Sequence, residues 1–80
     1  MEFYYTYVLQ SKKDGKYYVG FTSNLGERVK LHNDGGVLST KNRRPLEIVY
    51  FEGGISKEKA IKREKYFKTG FGRKFLKDRI

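Results

Sequence analysis

The chain has 80 residues, no cysteine, and 18 basic against 9 acidic side chains, a formal net charge of +9. That length holds one domain, drawn here as 1–80, and the lack of cysteine excludes disulfides and thiolate metal sites. With no apolar run of membrane-spanning length and no signal-peptide profile, the chain reads as a cytoplasmic domain whose charge favours a polyanion.

Phe3 to Gln10 is rich in aromatic and β-branched residues and predicts a first strand. Lys12-Lys13-Asp14-Gly15 predicts a turn in which Gly15 takes the positive φ, and Lys16 to Thr22 a second strand. Ser23 or Asn24 caps a helix running to about Asn33, ended by Asp34-Gly35-Gly36. Gly26 lies inside this helix at a cost of about 1 kcal/mol relative to Ala. Residues 35–44 form a polar, basic loop, long enough in so small a domain to suggest a function.

Pro45 precedes a third strand, Leu46 to Glu52, which Gly53-Gly54 is expected to break. Ser56 caps a second helix over Lys57 to Lys68, Thr69-Gly70 ends it, and Arg73 to Arg79 adds a short terminal helix. The order ββα-βα(α) implies an α+β fold, a small three-stranded antiparallel sheet flanked by helices.

Any two- or four-residue connection around Asp14-Gly15 puts Tyr7 and Tyr18 on one face of the hairpin. With the four-residue connection Tyr7 opposes Gly20 and is diagonal to Tyr18, about 7–8 Å away. Gly20 then leaves open space beside Tyr7 for a ligand or backbone. Two strand tyrosines alone would read as sheet packing.

The helices change that reading. The first helix has a stripe at spacings of three and four running Leu25, Arg28, Val29, His32. Arg28 offers a donor fork suited to phosphate, and His32, its i,i+4 neighbour, can exchange a proton near neutrality. In the second, Ala60, Phe67 and Phe71 define an apolar stripe whose missing member is Glu64. A carboxylate there is costly unless paired, protonated or bound to a cation. A buried ion pair with Arg28 is the structural alternative, a hard divalent cation with mostly water ligands the functional one.

Tyr5-Thr6-Tyr7, Tyr18-Val19-Gly20, Arg28 and His32 in Glu27-Arg28-Val29-Lys30-Leu31-His32, and Glu64 in Lys62-Arg63-Glu64-Lys65 together resemble the GIY-YIG nuclease superfamily. The resemblance is strongest to its small stand-alone members related to the N-terminal nuclease domain of excinuclease C. It runs from Tyr4 through the Glu64 helix, and Thr40 to Leu46 also looks like the small branch. Tyr5-Thr6 stands where the superfamily has Gly-Ile, and Val19 replaces Ile. Some branches place an Asn after the glutamate helix; this chain has none after Asn42.

The resemblance implies metal-dependent hydrolysis of a DNA phosphodiester, in repair or recombination, with Mg²⁺ or Mn²⁺ held chiefly by Glu64. It implies Tyr7 as general base supported by Tyr18, Arg28 neutralising charge on phosphorus, and His32 holding phosphate or relaying a proton. Lys41, Arg43 and Arg44 would grip flanking phosphates. An inactive DNA- or RNA-binding module on the same fold is the alternative, and Glu64 discriminates, since an acid aimed at phosphate does not help binding. No dimer surface is evident, so the expectation is a monomer or weak homodimer.

Overall fold

A computed structural model describes residues 3–80; the domain boundary drawn at residue 1 lies outside them. The elements are β1 (Tyr4–Ser11), β2 (Tyr17–Thr22), α1 (Leu25–Asn33), β3 (Leu46–Ile55), α2 (Lys57–Phe67) and α3 (Gly70–Lys77). Both partners of β1 run antiparallel to it, giving the sheet order β2-β1-β3. No helix among the described residues is long and apolar enough to cross a membrane.

The hairpin turn sets the register on which the rest depends. Ser11 and Lys16 close a four-residue connection, with Gly15 at φ +73°. The Ser11 hydroxyl accepts from the amides of Lys13 and Asp14, and the Asp14 carboxylate accepts from the amide of Lys16. These side-chain bonds hold the turn in one geometry, and Tyr7 consequently faces Gly20.

Alternation along β1 divides the core between the two faces of the sheet. Tyr7 and Leu9 pack with Leu25 and Val29 of α1, together with Tyr18, Leu46 and Ile48. Val8 and Val19 point the other way, onto Phe67 of α2 and Leu76 of α3. Thr6, also on that side, donates its hydroxyl to the Ala60 carbonyl at 2.8 Å. Asn24 caps α1 by accepting from Glu27 N, and Asn33 at its far end bonds both the amide and the carbonyl of Leu46. That pair of bonds ties α1 to the start of β3.

Three expectations are corrected. Gly53-Gly54 does not break the third strand, which continues to Ile55 paired with Tyr4 across an irregular register. Tyr5 covers Gly53, where a Cβ would lie 2.5 Å from the ring, and Gly54 takes φ +71°. The terminal helix begins at Gly70, capped by Thr69, and Gly72 permits its close packing on α2: a Cβ at Gly72 would collide with the Tyr66 carbonyl. Since α2 stops at Phe67, Phe71 leaves the apolar stripe and is 82% exposed. Tyr66, Phe75 and Leu76 fill that core instead.

Candidate active site

Tyr7, Tyr18, Arg28 and Glu64 line one open pocket of about 420 Å³ beside β2, an edge strand of the sheet. Three elements converge there. Strand register supplies the tyrosines, α1 supplies Arg28, and α2 supplies Glu64 together with Lys57 from its first turn. The pocket also reaches Gly20.

Gly20 is required by Tyr7 itself. A Cβ built on Gly20 would sit 2.5 Å from the Tyr7 hydroxyl and 2.7 Å from its Cζ. The open space expected beside Tyr7 is therefore filled by the Tyr7 ring, which passes over Gly20.

The Tyr7 hydroxyl lies 2.9 Å from Nε2 of His32, and Nδ1 of His32 lies 2.7 Å from the hydroxyl of Thr40. The rings of Tyr7 and Tyr18 both stack edge-on or tilted around the imidazole, Tyr18 with its centroid 4.9 Å away. His32 has no exposed surface, so of its two expected roles, contact with a phosphate is not available to it. Burial, and then the Arg28 guanidinium, push its pKa below the ordinary value, which keeps the ring neutral near pH 7. Burial, and then Tyr18, raise the Tyr7 phenol far above its usual range, with Glu64 adding a smaller push upward and Arg28 opposing. At rest Tyr7 is a protonated phenol.

Glu64 is not consumed by a structural pair. Among the described residues no ion pair joins it to Arg28; its partner is Lys68 at 3.8 Å, one helical turn along. The carboxylate side chain is 19% exposed and faces the pocket. Among the described residues no three His, Asp, Glu or Cys side chains gather into a metal-enclosing group. A hard cation that retains most of its water needs no such cage, and one carboxylate on an open pocket suits it. The donor set fits an ion of the Mg²⁺ type.

The three cations of the basic loop separate. Lys41 and Arg44 line a concavity of about 510 Å³ with Lys13, Asn33 and Asn42, and this concavity shares no residue with the Tyr7 pocket. Arg43 turns away: its Nε bonds the Asp14 carboxylate at 3.3 Å and its Nη2 the Tyr17 carbonyl at 3.4 Å. With the Ser11 hydroxyl donating to the Arg43 carbonyl, it fastens the loop to the hairpin.

Two contributors are not apparent in the sequence. Lys57 reads there as one of six basic residues of the second helix, solvated or phosphate-facing, with nothing to separate it from the other five. Thr40 carries no local signal, because its partner lies on a different element.

A family profile described as GIY-YIG catalytic domain matches residues 3–77. The chain belongs to the GIY-YIG family. Among similar proteins, UPF0213 protein YazA of Bacillus subtilis (strain 168) is 44% identical over 66 residues, 81% of this chain and 66% of that protein. UPF0213 protein SSP2268 of Staphylococcus saprophyticus is 40% identical over 78 residues, 96% of this chain and 94% of that protein. The solution NMR structure of UPF0213 protein BH0048 from Bacillus halodurans matches with a TM-score of 0.58 at 32% identity, covering 95% of this chain and 83% of that one. The chain spans just under two thirds of the length of YazA and of the Streptococcus pneumoniae protein spr1390, 66% and 65%.

Membership places the chain in a nuclease-type family and gives the two triplets a physical meaning. The tyrosine that ends the first GIY-YIG triplet, Tyr7, is the cross-strand partner of the glycine that ends the second, Gly20. One supplies the phenol and the other the room for it.

Proposed function

We propose that this GIY-YIG domain is a divalent-metal-dependent endonuclease that hydrolyses phosphodiester bonds in DNA. The observation that carries the proposal is the convergence in one pocket of Glu64, paired only loosely with Lys68, and a Tyr7 phenol hydrogen-bonded to a neutral His32. A binding module has use for the pocket's cations but not for an acid and a proton acceptor held beside them.

Glu64 would hold the ion, Mg²⁺ or Mn²⁺. When bound, the ion supplies Lewis-acid polarisation of a phosphate oxygen and stabilisation of the leaving 3′ oxygen. Arg28, lining the same pocket, neutralises negative charge on the phosphoryl oxygens as it builds. Tyr7 passes its proton to Nε2 of His32 and takes one from the attacking water, and the relay lets a raised-pKa phenol act as a base. His32 therefore relays a proton without touching the substrate. Tyr18 packs against both rings and keeps the pair aligned. Lys41 and Arg44, in their own concavity, hold a flanking stretch of phosphate backbone without reading sequence.

The test incubates the protein with duplex, branched and single-stranded DNA, and with RNA, in Mg²⁺, Mn²⁺ or chelator. Cleavage should require the ion and disappear in Glu64→Gln. Nicking that survives Glu64→Gln would remove the metal assignment; binding without cutting on every substrate would leave a binding module. Cleavage of RNA alone would overturn the choice of DNA.

A further inference from the structure

The Tyr7–His32 contact has meaning only if Nε2 is free to accept a proton, and something must keep it free. The polar groups around the relay favour one direction for its bonds. Arg28 lines the same pocket as Tyr7, and a guanidinium can only donate. The phenol's own proton has Nε2 of His32 within reach, 2.9 Å away, when that nitrogen carries no hydrogen. A neutral imidazole with Nε2 unprotonated carries its hydrogen on Nδ1. That hydrogen must be donated to the Thr40 hydroxyl oxygen at 2.7 Å. Thr40 in turn directs its own proton to the Val37 carbonyl, 3.4 Å away. With this tautomer the chain runs one way, from Tyr7 through His32 and Thr40 to the backbone.

We infer that Thr40 is a positioning residue: by accepting from Nδ1 it fixes the His32 tautomer whose Nε2 receives the Tyr7 proton. This rests on the reading of Tyr7 as the base. Thr40 is fully buried, as is His32. Its backbone is secured independently of its side chain, its amide donating to Val37 O and its carbonyl accepting from Arg43 N. The hydroxyl is thus free to accept from His32 while its own proton points to the Val37 carbonyl. When Tyr7 transfers its proton, Nδ1 keeps its hydrogen and goes on donating it to the Thr40 oxygen, so the imidazolium forms without a side-chain rotation. The 35–44 loop acquires a buried function as well as a basic surface.

The experiment uses the whole chain. His32 is the only histidine, so long-range ¹H–¹⁵N correlation of ¹⁵N-labelled protein reports this ring without ambiguity. At neutral pH the native protein should show a protonated Nδ1 and a pyridine-like Nε2. In Thr40→Val, which keeps the shape and loses the oxygen, the hydrogen should move to Nε2. The kcat for DNA cleavage should then fall about 10- to 100-fold, a part of the roughly 10²–10⁴ that a positioned acid or base supplies, with KM unchanged. Thr40→Ser should restore both tautomer and rate. A native ring protonated on Nε2 overturns the inference even if Thr40→Val fails to fold. So does a Thr40→Val protein that keeps Nδ1–H, or one cutting at the native rate, or a serine variant that rescues neither property. If native protein cuts no nucleic acid, the endonuclease reading fails on its own, and the ring spectra still decide what Thr40 does.

Discussion

Tyr7 and Gly20 face each other across the hairpin, and the hydroxyl of the first occupies the space a side chain on the second would need. This contact makes the tyrosine pass over β2 into the pocket it shares with Arg28 and Glu64. Substituting either partner separates what the fold requires from what the chemistry requires.

Gly20→Ala introduces a methyl 2.5 Å from the Tyr7 oxygen. Tyr7 must shift, and overpacking of this kind costs about 1–3 kcal/mol. The expected result is a folded protein with a lower thermal midpoint and cleavage reduced by more than the stability loss explains. Thermal unfolding and cleavage rates measured on the same preparation decide it; a native rate would show that Tyr7 need not lie where it does.

Tyr7→Phe keeps the ring packing and removes the proton. Cleavage should fall by roughly 10²–10⁴, the usual contribution of a positioned acid or base. His32 Nε2 is left without its partner in a buried site, at a cost of about 1–3 kcal/mol. Binding of DNA, measured in chelator to prevent cutting, should be nearly unchanged. Normal cutting by this variant would move the base elsewhere, with Tyr18 the first replacement to test.

Stability should depend on pH through His32. The unfolded chain takes up this proton near pH 6.5, whereas burial and Arg28 delay uptake in the folded protein to lower pH. Between those two values the unfolded state binds more protons, so stability falls as the solution is acidified. The carboxylates held below their ordinary values, Asp14 by the Lys16 amide and Glu52, against the upward push of burial, by Arg63 and Tyr50, add their loss only below about pH 4.5. Thermal midpoints between pH 7.5 and 5 should therefore decline, and His32→Gln should flatten the decline. A midpoint that rises on acidification would contradict the neutral buried ring.

Lys41 and Arg44 should behave differently from Arg43. Lys41→Ala and Arg44→Ala are expected to weaken DNA binding and to reduce the salt slope by about 0.9 for each duplex phosphate no longer neutralised. Arg43→Ala removes a partly exposed pair with Asp14 and a bond to Tyr17 O, so its effect belongs to stability and leaves the salt slope unchanged. Titrations of binding against salt, with melting curves on the same proteins, distinguish the two classes. A salt slope unchanged in the Lys41 and Arg44 variants would remove their concavity from the DNA path.

Much of the architecture is legible in the chain because it is local. Asp14-Gly15 sets the turn, the turn sets the register, and the register puts Tyr7 opposite Gly20; Asn24 and Ser56 announce the helices they cap. Glu64 stands out as a carboxylate on an apolar stripe. The glycines misled where tertiary packing overrode propensity: Gly53 continues a strand beneath Tyr5, and Gly72 sits inside a helix because no Cβ fits beside Tyr66.

What the sequence by itself determined is a set of candidate site residues and their order along the chain: Tyr7, Tyr18, Arg28, His32, Glu64. Only the tertiary structure decided how those groups are connected. Thr40 lies eight residues from His32 in an irregular loop, where no periodicity relates the two, and hydrogen-bond direction depends on through-space neighbours. The same holds for the basic loop, whose three cations look equivalent in sequence. Folding of that loop commits Arg43 to the hairpin and leaves Lys41 and Arg44 lining a separate concavity.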